Sequence, residues 1–586
     1  MFEPKNTLKN IECYSTDEFY PDCKLKLDSN ENVFGPSLKV IEAFRNIDLR
    51  CFNLYPCYGE MLSILSEKFG FDKDNFLLTN GCDEAINIVL SAYLTEKDSI
   101  LAYCPTFSMP DIYSKIIGAV FKKIDYISKW QFSIEELFLN IKNDTKIIYL
   151  ASPNNPTGDI IKPSEIRKIL EKCRDKIILL DLTYVNYSDY SENEYYCLVK
   201  EFKNLICVKS FSKDYALAGL RLGFILAQSD FISEFKKVIS PYSVNSMAIF
   251  AGINALKDDK YFSSVKEEVN KSKAFLTDEL KKLGFAPYSS QANFILVDFG
   301  PKVEFAYNKL LSSGIIVRKF SSGALKSCLR ISIPSVEDAK KIIDALKPRS
   351  LLVFDLDGVV FDVSGSYRYA IQKTYEHFVG TVCEPCQMQA AKNLGGLSND
   401  WDLTKYLLDK KGIKVDYSKL VEIFQSIFYN PEKTGSKGAI DNEKIVLGSE
   451  FFEKLSEKYD LAVFTGRPRE EAFYSLRKFG IDKYFKYFVC LEDVPCGRSK
   501  PCPDGLNKIK QNCYYNNICF FGDTVDDAKA GCDAGVLTYG IIPPNAADAE
   551  NTVKSLMDFG AADVIKSACE ILEYNLFEEK TCRLKQ

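Results

Sequence analysis

The 586 residues supply apolar material for about four compact lobes at roughly 150 residues each, and a content of 46% apolar and 26% charged residues excludes a disordered, collagenous or low-complexity chain. Lysine plus arginine number 75 against 80 aspartates plus glutamates, a formal charge of −5 that offers nucleic acid no basic face. Residues 1–10 carry no apolar leader and no segment reaches about 18 uninterrupted apolar residues, so a cytoplasmic protein with no membrane partner is expected.

From about 80 to 230, short β-branched runs (SILAYC at 99–104, KIIYLA at 146–151, KIILLD at 176–181, LICVKS at 205–210) alternate with helical spacing at 83–94 and 163–174. That alternation predicts an α/β lobe with a mostly parallel sheet, whose strand ends bind ligands. A long amphipathic stretch at about 259–283 precedes strands ANFILVDF, GIIVR and CLRISI and a last helix. Ser335 and Asp338 sign the start of that helix, and Val336, Ala339, Ile343 and Leu346 form its apolar stripe. The reading gives a large lobe at about 30–230 and a smaller α+β lobe at about 231–346 joined by the N-terminal segment. At 347–350 the helical pattern stops and the strand LLVFDLDG begins, which marks a domain boundary with too short a linker for the halves to roam.

Twenty cysteines scattered along so long a chain read as reduced thiols, and the one C-x-x-C, Cys383 with Cys386, lacks a second ligand pair for zinc. His377 is the only histidine, so catalysis must use lysine, carboxylate, tyrosine or a cofactor.

In the first half, Lys213 closes the run SFSK after a strand, and Arg221 follows eight residues later. A lysine so placed can form an imine with an aldehyde cofactor, although a solvated loop lysine fits the same spacing. NNPTG at 154–158 and Asp181 each follow strands, and an aspartate there can hold a pyridinium proton. The sequence of NPTG, strand-end aspartate and SFSK over about sixty residues resembles the fold-type I aminotransferases. LDSNENVFGPS (27–37), LYP (54–56), TNGCDEAI (79–86), CPTFSM, SPNNPTG and FSKDYALAGLRLG are similar to histidinol-phosphate aminotransferases over roughly 1–346.

The resemblance implies pyridoxal 5'-phosphate, with Lys213 as Schiff-base lysine and proton shuttle and Asp181 at the ring nitrogen. Asn155 and Tyr184 would bond the ring oxygen, and Phe107 would stack on the ring. Gly81, Cys82 and Asp83 would open a helix onto the phosphate, with Ser210, Ser212 and Arg221 completing the cradle. Tyr55 would reach the phosphate from a partner chain, which implies a homodimer with sites at the interface. Arg318 and Arg330 remain for the substrate anion, since a guanidinium fork matches carboxylate or phosphate; surface ion pairs are the other use of strand-end arginines. Leu54 stands where relatives commonly have arginine and Leu182 where an acidic residue is common, which leaves the acceptor open.

In the second half, Asp355 and Asp357 follow a strand in LLVFDLDG, one placed to attack phosphorus and the other to handle protons. Thr465-Gly466 ends the strand LAVFTGRP, Lys500-Pro501 follows, and ICFFGD ends in Asp523, with Asp527 four residues on. These four motifs in order resemble the haloacid dehalogenase superfamily over roughly 351–565, within a domain at 351–586. Asp527 also suits a helix start. The resemblance implies that Asp355 becomes phosphorylated, while Asp357 protonates the leaving alcohol and then activates water. Mg²⁺ would be held by Asp355, the Asp357 carbonyl, Asp523 and Asp527, and the phosphoryl group by Thr465, Gly466 and Lys500. The helical stretch between the first two motifs predicts a cap at about 366–447. Arg368, Asp400, Trp401 and Arg467 are candidates for its pocket, with Trp401 equally suited to the cap core and Arg368 to a solvated helix face.

The pair implies two consecutive steps: imidazole-acetol phosphate and glutamate to histidinol phosphate, then histidinol, as in histidine biosynthesis. Dihydroxyacetone phosphate to serinol phosphate, or a pyridoxal-phosphate decarboxylase of phospho-amino acids, fits the same motifs. The fold class expected is α/β, a fold-type I aminotransferase fused to a Rossmann-like core with an inserted helical cap.

Overall fold

The computed structural model describes residues 5–577 apart from 10, 12–22, 128–129, 322, 348, 393, 398, 430–437, 496–497, 513–514, 516, 545, 547–548 and 575. The chain forms two compact units, Met1–Lys347 and Pro348–Gln586. Among the described residues no helix is long and apolar enough to cross a membrane.

The first unit is built on a seven-stranded sheet in the spatial order Phe76–Thr79, Gly223–Leu226, Leu205–Ser210, Ile177–Asp181, Thr145–Ala151, Ser99–Cys104, Val120–Asp125. Only Gly223–Leu226 runs against its neighbours. The strands read as continuous apolar runs because helices cover both faces. Ile148, Leu150, Ile178 and Leu180 enter one core, and the alternate residues Ile147, Tyr149, Ile177 and Leu179 enter the other. Helix Gly81–Tyr93 starts at the carboxyl end of its strand, and helix Pro163–Lys172 opens with proline, where the missing N–H costs nothing.

The smaller lobe has a five-stranded sheet in the order Leu25–Leu27, Ile315–Lys319, Cys328–Ser332, Phe294–Asp298, Ala286–Pro287. Leu25–Leu27 pairs parallel to Ile315–Val317, which ties the N-terminal segment to this lobe; residues 12–22 of that segment lie outside the described ones. Helices Asp259–Lys282, Val303–Ser312 and Val336–Leu346 share its core, the last capped by Ser335 Oγ accepting from Asp338 N at 3.1 Å. Residues 229–256 depart from the expected lobe boundary. Ile232 and Phe235 join one large-lobe core and Ala248, Ala251 and Leu256 the other, because helix Ser246–Leu256 is small and apolar nearly all round. Its Gly252 sits so close that a Cβ would meet Leu222 at 2.4 Å.

The second unit carries a six-stranded, all-parallel sheet in the order Phe485–Val489, Asp460–Phe464, Leu351–Phe354, Ile518–Gly522, Leu537–Ile541, Asp563–Ile565. Between its first two sheet strands in sequence lies a ribbon, Phe361–Asp362 antiparallel to Lys444–Ile445. From it spring helices Tyr367–Val379, Pro385–Lys392, Asp400–Lys410 and Tyr417–Phe428. These helices fall within 366–447, the stretch for which the sequence predicts a cap.

Candidate active sites

At the carboxyl ends of the first sheet, Lys213 donates from Nζ to the Ser29 carbonyl at 2.8 Å. Burial, helped by the nearby charge of Arg330, lowers its amine to about 8. Asp181 is buried and accepts from Thr183 N at 2.9 Å and Tyr149 OH at 3.0 Å, and burial raises its carboxyl. Tyr184 accepts from Asn30 Nδ2 at 3.0 Å, and burial pushes its hydroxyl up to about 12. Arg330 donates to Asn155 Oδ1 at 2.5 Å and to the Asp28 carbonyl, with its guanidinium 5.5 Å from the Phe294 ring.

Arg221 donates to Asp83 at 2.6 Å in front of helix Gly81–Tyr93, and Ser212 N donates to Ser210 Oγ at 3.1 Å. A Cβ on Gly81 would lie 2.7 Å from the Arg221 guanidinium, so that approach needs glycine. Phe107 packs against the core that holds Cys82 and Ala151. Two expected residues stand out to solvent. Tyr55 is 79% exposed and stacks on Tyr242 at 4.3 Å, and Arg318 is exposed although it lies directly across from Arg330 in the strand register.

The sequence reading missed two parts of this site. Lys209 is buried, 2.6 Å from Asp214 and 3.8 Å from Glu192, and donates to the Leu182 carbonyl at 3.3 Å. One ammonium thereby ties the residue after Asp181 to the residue after Lys213. Residues 28–32 form the other part, since their backbone and side chains meet Lys213, Arg330, Tyr184 and, through Asn32, the Asp214 carbonyl at 3.2 Å. In the cofactor-free chain, an amine-selective reagent is expected to label Lys213 with a midpoint near pH 8. Peptide mapping across pH would reject this environment if the midpoint sat above about 10, the ordinary lysine range.

In the second unit, Lys500 Nζ lies 2.7 Å from Asp355 and 2.7 Å from Asp527. Carboxylate oxygens of Asp355, Asp523 and Asp527 all fall within 4.8 Å of one another. Burial holds Asp355 well above the usual carboxylate range despite Lys500, and lifts Asp523 to about 7; burial opposes the charge on Lys500, but its two carboxylate neighbours outweigh that and raise it. Asp527 also caps its own helix, its Oδ2 accepting from Thr524 N at 3.1 Å and Oγ1 at 2.6 Å, which is its helix-start use. The Asp357 carboxylate is not in the cluster: Arg467 holds its Oδ1 at 2.9 and 2.5 Å. Thr465 is buried with Oγ1 accepting from Arg467 N at 3.2 Å, and Gly466 beside it is exposed.

The same cleft is lined by Arg368, Asp400, Trp401 and Arg467 from the sequence reading, and by Lys392, which pairs with Asp400 at 3.1 Å and was missed. Trp401 also packs on the cap core, so both of its expected uses are present. Gly358 has φ +75°, and a Cβ there would lie 2.2 Å from Asp523 Oδ2. Gly358→Ala is therefore expected to cost about 1–2 kcal/mol of backbone strain and to displace Asp523. Phosphate release should fall at least about tenfold, measured beside unchanged transamination; equal phosphatase rates in both proteins would reject the crowding.

The family model for aminotransferases of class I and II matches residues 22–346, more than half of the chain. The protein belongs to this aminotransferase family. A haloacid dehalogenase-like hydrolase model matches residues 350–535, so the aminotransferase is fused to a hydrolase domain of that type. It is 34% identical over 327 residues to histidinol-phosphate aminotransferase 1 of Carboxydothermus hydrogenoformans, covering 55% of this chain and 92% of that protein. It is 31% identical over 337 residues to the histidinol-phosphate aminotransferase of Clostridium kluyveri, covering 56% and 93%. In fold it is similar to the histidinol-phosphate aminotransferase of Sinorhizobium meliloti in complex with pyridoxal-5'-phosphate, at TM-score 0.52 and 22% identity over 55% of this chain and 90% of that one.

The aminotransferase family implies pyridoxal phosphate, and the residues fit it. Ser212 Oγ is buried without a hydrogen-bond partner among the described residues, and the Arg221 guanidinium stands at Asp83 in the first turn of helix Gly81–Tyr93; an unpartnered hydroxyl, a guanidinium and a helix start suit a phosphate. The hydrolase family typically takes Mg²⁺, and its site fits too. Two of the three clustered carboxylates, Asp355 and Asp527, share one ammonium, and Asp523 Oδ1 is buried with no hydrogen bond among the described residues.

Proposed function

We propose that the aminotransferase domain converts a keto-phosphate, imidazole-acetol phosphate with glutamate as donor, to histidinol phosphate, and that the hydrolase domain then releases phosphate to give histidinol. The observation that supports this reading is one chain holding two domains: the first is similar to histidinol-phosphate aminotransferases, and the second has a lysine between carboxylates near the ends of parallel strands. When bound, pyridoxal phosphate supplies the electron sink that stabilises negative charge at the substrate Cα.

The chain's own residues do the rest. Lys213, with its amine lowered to about 8, takes and returns the Cα proton. Asp181 would keep a proton on the ring nitrogen, Asn155 and Tyr184 would bond the ring oxygen, and Phe107 would cover the ring. Gly81, Cys82, Asp83, Ser210, Ser212 and Arg221 would hold the phosphate. Arg330 takes the donor carboxylate in exchange for the Asp28 carbonyl it now meets, with Arg318 beside it. Tyr55, exposed on this chain, reaches the phosphate of a second copy in a homodimer.

In the hydrolase domain, Asp355 attacks phosphorus and Asp357 supplies the proton to the leaving oxygen. Asp355, Asp523, Asp527 and the Asp357 carbonyl would hold Mg²⁺, which would offset the charge of the phosphoryl oxygens, and Thr465, Gly466 and Lys500 would hold those oxygens. The deciding experiment gives the full chain glutamate with either imidazole-acetol phosphate or dihydroxyacetone phosphate and follows 2-oxoglutarate and free phosphate together. Turnover of the first with both products supports the reading. Preference for the second reassigns the acceptor, and carbon dioxide from a phospho-amino acid without 2-oxoglutarate would replace transamination by decarboxylation.

A further inference from the structure

Arg467 is the residue immediately after Thr465 and Gly466, and it is 2% exposed. Its Nε and Nη2 both reach Oδ1 of Asp357, at 2.9 and 2.5 Å. Oδ2 of Asp357 accepts no hydrogen bond among the described residues, and Asp357 lines the cleft. A clamp on one oxygen fixes the carboxylate plane and leaves the other oxygen for proton transfer.

The far side of the guanidinium is held by the base of the cap. Nη2 lies 2.8 Å from Glu443 Oε1, and Nη1 donates to Ser475 Oγ at 3.0 Å, which in turn donates to Glu443 Oε2 at 2.6 Å. Glu443 directly precedes the ribbon strand Lys444–Ile445, by which the chain returns from the cap. The guanidinium carbon lies 5.3 Å from the ring of Phe361, on the other ribbon strand, and 4.9 Å from that of Tyr367, which starts the first cap helix. Tyr367 OH donates to Glu471 at 2.5 Å, and Gln425 of the last cap helix donates to the other Glu471 oxygen at 2.9 Å. A buried arginine with these partners has no slack: moving the ribbon or Tyr367 moves the guanidinium, and the guanidinium carries Asp357.

We propose that Arg467 is a positioning residue that aims the Asp357 carboxyl at the leaving oxygen, and that it does so only when the cap is seated on Glu443 and Tyr367. The inference rests on the reading of Asp357 as proton donor. In the step it controls, an Asp355 oxygen bonds to phosphorus, the ester P–O bond breaks, and the Asp357 proton passes to the departing oxygen, giving the alcohol. In the return step, Asp357 takes a proton from water, the hydroxide oxygen bonds to phosphorus, and the Asp355–phosphorus bond breaks to release phosphate. Opening the cap would let water in, but it would also turn Asp357 away, so proton delivery waits for a covered cleft.

The test uses the full chain with Mg²⁺ and two esters, p-nitrophenyl phosphate, whose phenolate leaves without a proton, and β-glycerophosphate, whose alkoxide does not. Asp357→Asn is expected to lower kcat for the alkyl ester by about 10²–10⁴-fold and for the aryl ester far less. Arg467→Gln should reproduce that selectivity, and Arg467→Lys should recover part of the alkyl rate. Arg467→Lys keeps a charge between Asp357 and Glu443, so the comparison survives if the glutamine variant does not fold. Tyr367→Phe, which removes the bond to Glu471, should show a smaller loss with the same selectivity.

If Asp357→Asn slows both esters alike, the proton-donor reading and this inference both fall. If Asp357→Asn is selective but the Arg467 variants slow both esters equally, the positioning role falls and the reading stands. If Tyr367→Phe leaves the ratio of the two esters at its wild-type value, the dependence on the cap falls.

Discussion

Replacing Lys213 with alanine is expected to abolish transamination, a loss on the order of 10⁴-fold or more, while phosphate release stays at its wild-type rate. The neighbouring lysine is not free to take over the proton. Lys209 is the nearest in sequence, but it is buried against Asp214 at 2.6 Å and bonded to the Leu182 carbonyl, so it is a strut rather than a base. The single histidine, His377, belongs to a cap helix of the other unit. Lys213 itself is bonded only lightly, to one carbonyl at 2.8 Å, and its amine is lowered to about 8 by burial, which makes it easy to discharge near neutrality. The measurements are 2-oxoglutarate formation from glutamate and the visible absorption of the protein with pyridoxal phosphate, which should lose the band owed to the lysine. Retention of more than about a hundredth of the transamination rate would remove Lys213 from the catalytic role, since general acid–base steps are worth at least about 10²-fold.

What the residues revealed in advance, and what they hid, divides along a physical line. Strands such as Ser99–Cys104 and Leu205–Ser210 were legible because both sheet faces are covered, which leaves an unbroken apolar run between turn residues. The order of site residues was legible because strand-end motifs keep fixed local spacing: Asp181 ends one strand, and Asp355 and Asp523 each follow another. Helix Ser246–Leu256 misled, since an apolar helix carries no sign of which core it enters. Hidden most completely were the contacts distant in sequence. Nothing local joins Arg467 to Glu443 or says that Asn30 will meet Tyr184. Lys209 left one trace, a lysine inside the apolar run LICVKS with an aspartate five residues on; a charge in a fully covered strand must find a partner.

Asp355→Asn is expected to remove Mg²⁺-dependent phosphate release by on the order of 10⁴-fold or more and to leave transamination intact. The substitution keeps shape and removes one negative charge, so it separates chemistry from folding. Oxygens of Asp355, Asp523 and Asp527 crowd within 4.8 Å of one another, with one ammonium between Asp355 and Asp527, and burial with their mutual repulsion raises Asp355 and lifts Asp523 to about 7. Taking one carboxylate away relieves that repulsion, so thermal stability without Mg²⁺ should hold or rise. Stabilisation by added Mg²⁺ should shrink, because the cation has lost a ligand and ligand binding stabilises only the folded state. An unfolded variant would show the opposite, lower stability with transamination declining beside it. The pairing of readouts separates chemistry from folding: phosphatase lost with stability kept places Asp355 in the reaction, as nucleophile or as cation ligand, and not in holding the fold. A variant that still releases phosphate at more than about a hundredth of the normal rate would move the nucleophile elsewhere.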